Sequence, residues 1–159
     1  MTIQYNSEFT TQDNLDSTDW DILRELHFDG RVSYAELGRR VNLSPPAVKE
    51  RILKLEESGI IKGYRADVNF PAIGLPITAF IQITVDGHRC PKIIELAEEM
   101  VEVVEYHRLT GVNCFMLKVV VPSMVDIERI HDILNPYGQL TTAVVLSSTE
   151  THQPFKVEF

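Results

Sequence analysis

The run Ser44-Pro45-Pro46 constrains this chain more than any other feature of it. Proline has a fixed φ and no amide hydrogen, so it suits the first turn of a helix and breaks its interior. A helix therefore starts after Ser44, whose hydroxyl can cap the amide of Ala47, and Gly59 is its natural stop. Upstream, Ser33 with Glu36 three residues on is a capping-box pattern for a shorter helix carrying Leu37 and Val41. That helix ends at Asn42, one of the few residues that tolerate a left-handed backbone. Only Val41-Asn42-Leu43 joins the two helices, which demands a tight turn.

A further helix precedes the pair. Asp16 caps it, Asp19 suits the positive end of its dipole, and Trp20, Leu23, Leu26 and His27 carry helical spacing up to Asp29-Gly30. In the helix after Ser44, Val48, Ile52 and Leu55 face a core while Pro46, Lys49, Glu50 and Lys54 point away. Ile60 to Val68 alternates weakly like a short strand, and Pro71, Gly74 and Pro76 then interrupt the chain. The expected organisation is a flexible arm over 1–14, a helix-turn-helix domain over 15–65, and a strand and linker over 66–76.

The rest alternates strand and helix: Ile77 to Val85, Pro91 to Met100, Val103 to Leu109, Cys114 to Val121, Met124 to Leu134, and Leu140 to Ser148. That order is β-α-β-β-α-β, the ferredoxin-like unit, expected over 77–150 with a tail over 151–159. The fold class is thus α+β. Ile93, Ala97 and Met100 align on one helix and Ile127, Ile130 and Leu134 on the other, while Ser123 and Asp126 suit a capping box. Two helices cover one face of a four-stranded sheet. The other face still carries apolar groups, since Phe115, Leu117, Val119 and Val121 alternate with Cys114, Met116 and Val120. A sheet apolar on both sides calls for a partner, so we expect an oligomer with buried sheet faces.

Charge separates the two parts. The chain carries a net charge of −8, which by itself argues against a polyanion partner. Between Arg31 and Arg65, however, eight basic residues face four acidic ones, whereas from Pro71 onward six face eleven. A basic segment sits inside an acidic chain. Cys90 and Cys114 are too few for a disulfide scaffold, and the five histidines include no pair at metal-ligand spacing. No Gly-rich phosphate loop, nucleophile elbow or paired-carboxylate motif is present, so no catalytic residues, metal or cofactor are expected. Without a membrane-length apolar run or a secretory signal, the expected location is the cytoplasm, in association with the nucleoid.

Tyr34 to Leu53 (YAELGRRVNLSPPAVKERIL) has the layout of a helix-turn-helix whose second helix can enter a major groove. Base edges would then be read by Ser44, Pro46, Ala47 and Lys49, with Glu50 a possible acceptor for a cytosine amine. Phosphates would fall to Arg39, Arg40, Arg51 and Lys54. The competing reading is an oligomeric small-molecule-binding module with no DNA role.

Leu15-Asp16-x-x-Asp19-x-x-Ile22-Leu23, Gly30-Arg31-Val32-Ser33, Glu36-Leu37, Leu43-Ser44, Val48-x-x-Arg51-Ile52-x-x-Leu55-Glu56 and Gly59-x-Ile61-x-Gly63-Tyr64 together resemble the N-terminal domain of the Lrp/AsnC (feast/famine) transcription regulators. The resemblance implies a winged helix-turn-helix on double-stranded, pseudo-palindromic DNA. It also implies a ferredoxin-like effector and oligomerisation domain that forms dimers and then an octamer or other higher oligomer. Many members of that family bind an amino acid between dimers near the loop joining the second and third strands, here Leu109-Thr110-Gly111-Val112-Asn113-Cys114 and on to Phe115. The usual pattern there is Thr-Gly followed by an acidic residue, an aromatic one and Asp. This chain keeps Thr110 and Gly111 but has Val112, Asn113 and Cys114 in those places. No carboxylate is present to meet an ammonium group, so the ligand differs, its amine is held by carbonyls, or no small molecule binds.

Overall fold

The computed structural model describes residues 15–85 and 90–148; the expected arm over 1–14 and tail over 151–159 lie outside the described residues. The chain divides into two units between Ala66 and Asp67. The first holds α1 (Ser17–Phe28), α2 (Tyr34–Arg40) and α3 (Pro45–Glu57). Asp16 caps α1, Ser33 accepts from the Glu36 amide at 3.2 Å, and Ser44 accepts from the Ala47 amide at 3.4 Å. Asn42 takes the left-handed conformation, φ 56°, that the tight turn requires. Ile22, Leu37 and Val48 are fully buried at the centre, with Ile52 and Leu55 beside them.

The stripe that α1 buries differs from the one expected. Ile22 is its centre, Leu23 and Leu26 pack alongside, Trp20 is half-buried and His27 is exposed. One turn before Ile22 the inner face carries Asp19, which is buried. Apolar periodicity does not register a carboxylate on an inner face, and the pattern shifts to Trp20 as a result.

The expected strand over Ile60 to Val68 is also absent, since those residues belong to no regular element. A strand needs a ladder partner, and the first unit contains no other strand among its described residues. Ile60 and Ile61 instead close the helical core, and the Ile61 amide donates to the Leu55 carbonyl at 3.0 Å. Tyr64 folds back so that its hydroxyl donates to Glu56 Oε1 at 3.0 Å.

The second unit runs β1 (Ile77–Thr84), α4 (Cys90–Glu99), β2 (Val103–Arg108), β3 (Phe115–Val121), α5 (Met124–Leu134) and β4 (Gln139–Val144). The sheet is antiparallel in the order β2-β3-β1-β4, the ferredoxin-like arrangement. β4 stops at Val144, short of the expected Ser148. Its ladder partner among the described residues, β1, begins at Ile77, and the last bond joins the Val145 amide to the Thr78 carbonyl at 2.9 Å.

One sheet face carries Ala79, Ile81, Ile83, Phe115, Leu117, Val119 and Val121, buried in one core with Ile93 and Ala97 of α4 and Ile127, Ile130 and Leu134 of α5. The register puts Thr78, Phe80 and Gln82 opposite Val120, Lys118 and Met116 on the other face. Glu105, His107 and Thr141 join that face, so it is mixed in character, with Phe80, Met116, Ala143 and the buried Val120 as its apolar groups.

Candidate nucleic-acid interface

α3 has two faces because its apolar residues recur every three or four positions. Val48, Ile52 and Leu55 point into the core, leaving Pro46, Lys49, Glu50, Leu53 and Lys54 exposed on the outer side. Ser44 is exposed at the start of the helix, and Ala47 is half-buried beside it. With Pro45 and Pro46 in the first two helical positions, those two backbone amides are missing, and the Ala47 and Val48 amides are bonded to Ser44. The helix start therefore offers side chains, and no free amide nest, to an anion. Leu53, 42% exposed, belongs to the outer face although it was not expected to act there.

The cations around this face fall into two groups. Arg39 pairs with Glu36, Arg40 bridges Glu25 at 2.7 Å and Glu36 at 3.0 Å, and Lys54 pairs with Glu50 at 2.8 Å. Arg40 holds the Glu36 carboxyl below its ordinary range, and Lys54 does the same to Glu50. Lys49, Arg31, Lys62 and Arg65 make no ion pair among the described residues. Exposed pairs of the first kind contribute little to folding and are readily exchanged, so Arg39, Arg40 and Lys54 stay available to a stronger anion.

Arg51 behaves differently. It was expected on a phosphate, yet its Nη1 donates to Asp16 Oδ2 and Asp19 Oδ1, both at 2.7 Å. Those two carboxylates raise the Arg51 pKa further, Asp19 first. Between the start of α1 and α3 runs a groove whose walls include Leu15, Asp16, Leu43, Ala47, Glu50 and Arg51.

The turn between α2 and α3 is close-packed. A Cβ on Gly38 would lie 2.4 Å from the Leu43 carbonyl oxygen, so only glycine lets α2 approach the turn this closely.

In the second unit, the β2–β3 connection spans Leu109 to Cys114. Thr110, Gly111 and Val112 are exposed, and Gly111 has a φ of 106°. The Leu109 amide donates to the Cys114 carbonyl at 2.8 Å, and the Cys114 amide donates to the Ile83 carbonyl at 2.9 Å. Asn113 turns inward: its Oδ1 accepts from Thr84 Oγ1 at 3.1 Å and its Nδ2 donates to Gln82 Oε1 at 2.9 Å. The residue standing in place of the usual aromatic thus ties the loop to β1. Cys114 is half-buried, with Sγ 3.6 Å from the Val85 carbonyl oxygen. Among the described residues no cluster of His, Cys, Asp and Glu is arranged to hold a metal ion, and no helix is long and apolar enough to cross a membrane.

Comparison with known proteins matches both units. Residues 15–62 fit the winged helix-turn-helix DNA-binding family profile, and residues 78–155 fit the Lrp/AsnC ligand binding domain. The chain is 35% identical over 137 residues to the HTH-type transcriptional regulator LrpC of Bacillus subtilis, covering 86% of this chain and 95% of that protein. It is 36% identical over 115 residues to the leucine-responsive regulatory protein of Escherichia coli, covering 70% of each. The solved structure of Bacillus subtilis LrpC superposes with a TM-score of 0.80 over 86% of this chain and 98% of that one. A Neisseria meningitidis transcriptional regulator in complex with L-Met superposes with a TM-score of 0.79 at 25% identity, over 89% of this chain and 96% of that one.

Proposed function

The chain belongs to the Lrp/AsnC family of helix-turn-helix transcriptional regulators, which are not enzymes, and from that premise we propose how its residues divide the work on DNA. α3 enters the major groove, and Ser44, Pro46, Ala47, Lys49 and Glu50 meet base edges there. Arg39, Arg40 and Lys54 exchange their carboxylate partners for phosphates. The observation that carries this reading is the outer face of α3, on which Lys49 is exposed with no ion-pair partner among the described residues.

A dimer presents two such helices, so the operator is pseudo-palindromic, with half-sites about one helical turn, roughly 10 bp, or a multiple of it apart. The mixed second sheet face, with Phe80 and Met116, is the surface that pairs, and dimers assemble into an octamer or other higher oligomer. The regulator works in the cytoplasm on nucleoid DNA.

Selecting a random-sequence duplex pool on the full chain tests the DNA role directly. The recovered duplex should lose affinity as salt rises, and K49A should weaken binding by a factor corresponding to about 1–3 kcal/mol. Failure of the wild-type chain to enrich any duplex would refute the reading and leave the small-molecule module in its place.

The effector is an amino acid or another small molecule bound between dimers near Leu109 to Cys114. Support comes from the ligand-binding profile and from the Neisseria relative's complex with L-Met. The loop has no carboxylate and the Asn113 amide is engaged by Thr84 and Gln82, so an ammonium group held by this loop meets neutral oxygens, the backbone carbonyls first among them, in place of a counter-charge. Mass-resolved size-exclusion chromatography with each of the twenty amino acids is the check. An unchanged assembly throughout would remove amino acids as effectors, because a ligand shifts an equilibrium only through differential affinity for its states.

A further inference from the structure

We infer that Arg51 positions α3 for DNA and does not itself meet a phosphate: its guanidinium locks the recognition helix onto the two carboxylates that cap α1. The inference rests on the proposed entry of α3 into the major groove. Asp16 and Asp19 form a reciprocal cap, in which Asp16 Oδ1 accepts from the Asp19 amide at 2.9 Å and Asp19 Oδ2 accepts from the Asp16 amide at 3.1 Å. Each carboxylate gives its other oxygen to Arg51 Nη1 at 2.7 Å. All four carboxylate oxygens are therefore used, and one nitrogen of α3 joins both ends of the cap.

Burial separates this cation from its neighbours. The Arg51 side chain is 31% exposed, against 40% for Arg40, 69% for Lys54 and 77% for Arg39, and its partner Asp19 is only 12% exposed where the carboxylates paired with those three are 33% or more. Sending Arg51 to a phosphate would leave the Asp19 carboxylate buried without a counter-charge, a far larger penalty than breaking an exposed pair. Arg51 lies next to Ile52 and three residues after Val48, so a bond from this flank to α1 sets how α3 is rotated about its axis. That rotation decides which way Lys49 and Glu50 point.

The experiment measures binding of the full chain to a duplex recovered from a random pool by the wild-type protein, across a salt series. A wild-type chain that recovers no duplex sinks the DNA role itself, whereas the inference about Arg51 stands or falls on the variants. D19N keeps a capping acceptor and removes a negative charge. If Arg51 serves as a lock, D19N weakens binding roughly tenfold, the size of a lost charge-assisted hydrogen bond. R51A gives a similar loss, the double variant D19N/R51A loses no more than either single one, and the slope of log affinity against log salt is unchanged in all three. If R51A does not fold, judged by circular dichroism, R51K replaces it: the charge stays, the affinity falls and the slope holds. A phosphate contact produces the opposite pattern. D19N would then free Arg51 and tighten binding, R51A would reduce the slope by about 0.9, and R51K would bind as the wild type does. Any of those results overturns the inference.

Discussion

One added methyl group at Gly38 should disrupt the turn between α2 and α3. A Cβ built there meets the Leu43 carbonyl oxygen at 2.4 Å and Val48 Cγ2 at 3.6 Å. Carbon and oxygen without a covalent bond settle near roughly 3.3–3.6 Å, so the turn must retreat by about 1 Å. The obstacle is backbone, and no change of rotamer relieves it. Retreat lengthens the bond from the Leu43 amide to the Gly38 carbonyl, now 2.8 Å, and draws Val48 away from Leu37. Overpacking of this kind costs about 1–3 kcal/mol and a weakened buried hydrogen bond about 1 more. Against that, alanine is the better helix former by about 1 kcal/mol. The net expectation for G38A is a loss of about 1–3 kcal/mol in the helical unit, or roughly 5–15 °C in its Tm. Differential scanning calorimetry of the full chain reads this directly, with duplex binding followed in parallel. A G38A chain that melts at or above the wild-type temperature would refute the close crossing, because helix propensity alone would then have prevailed.

Three further outcomes are expected from the same geometry. I22A should destabilise the helical unit by about 2–5 kcal/mol, whereas H27A, at an exposed position, should change little; equal effects in thermal unfolding would contradict the burial pattern. The Asp16 carboxyl is held below its ordinary value of 3.8, first by the Asp19 amide and then by Arg51. A depressed carboxyl contributes stability that is present above its unfolded pKa and lost as pH falls through its folded one, so acid unfolding below about pH 4 should be shallower in D16N, and superimposable curves would count against the cap. Burial, with the hydrogen bond to Glu56 second, pushes the Tyr64 phenol up to about 12. Its contribution is fully present below the ordinary value of 10.0 and is lost as pH rises from there to about 12, so an ultraviolet titration should show a late phenolate step that Y64F lacks.

The turn of the DNA-binding half was legible because its signals are local. Ser44 and the two prolines after it dictate where α3 begins, and Asn42 alone permits the backbone that the turn needs. The strand order of the second half was legible for the same kind of reason, since period-two and period-3.6 patterns alternate along it without ambiguity. Two readings failed where a residue's role depends on something distant in the chain. Ile60 to Val68 has the composition of a strand but meets no strand partner among the described residues. Trp20 has the hydrophobicity of a core residue, yet Ile22 holds the centre and Asp19 shares its inner face. In the β2–β3 loop the departures at Val112, Asn113 and Cys114 were visible, but not that Asn113 would be spent on Thr84 and Gln82, 29 and 31 residues back.

The sequence by itself determined the limits of α2 and α3, the order of elements in the second unit and the face of α3 that is left polar, all of which depend on contacts spanning a few residues. The tertiary structure alone decided which charges are free to act. Arg39, Arg40, Arg51 and Lys54 look alike as letters, and three of them sit in exposed, exchangeable pairs. Arg51 is bound to carboxylates 32 and 35 residues away, one of them buried. Coulomb energy depends on distance and on dielectric surroundings, and neither exists until the chain has folded.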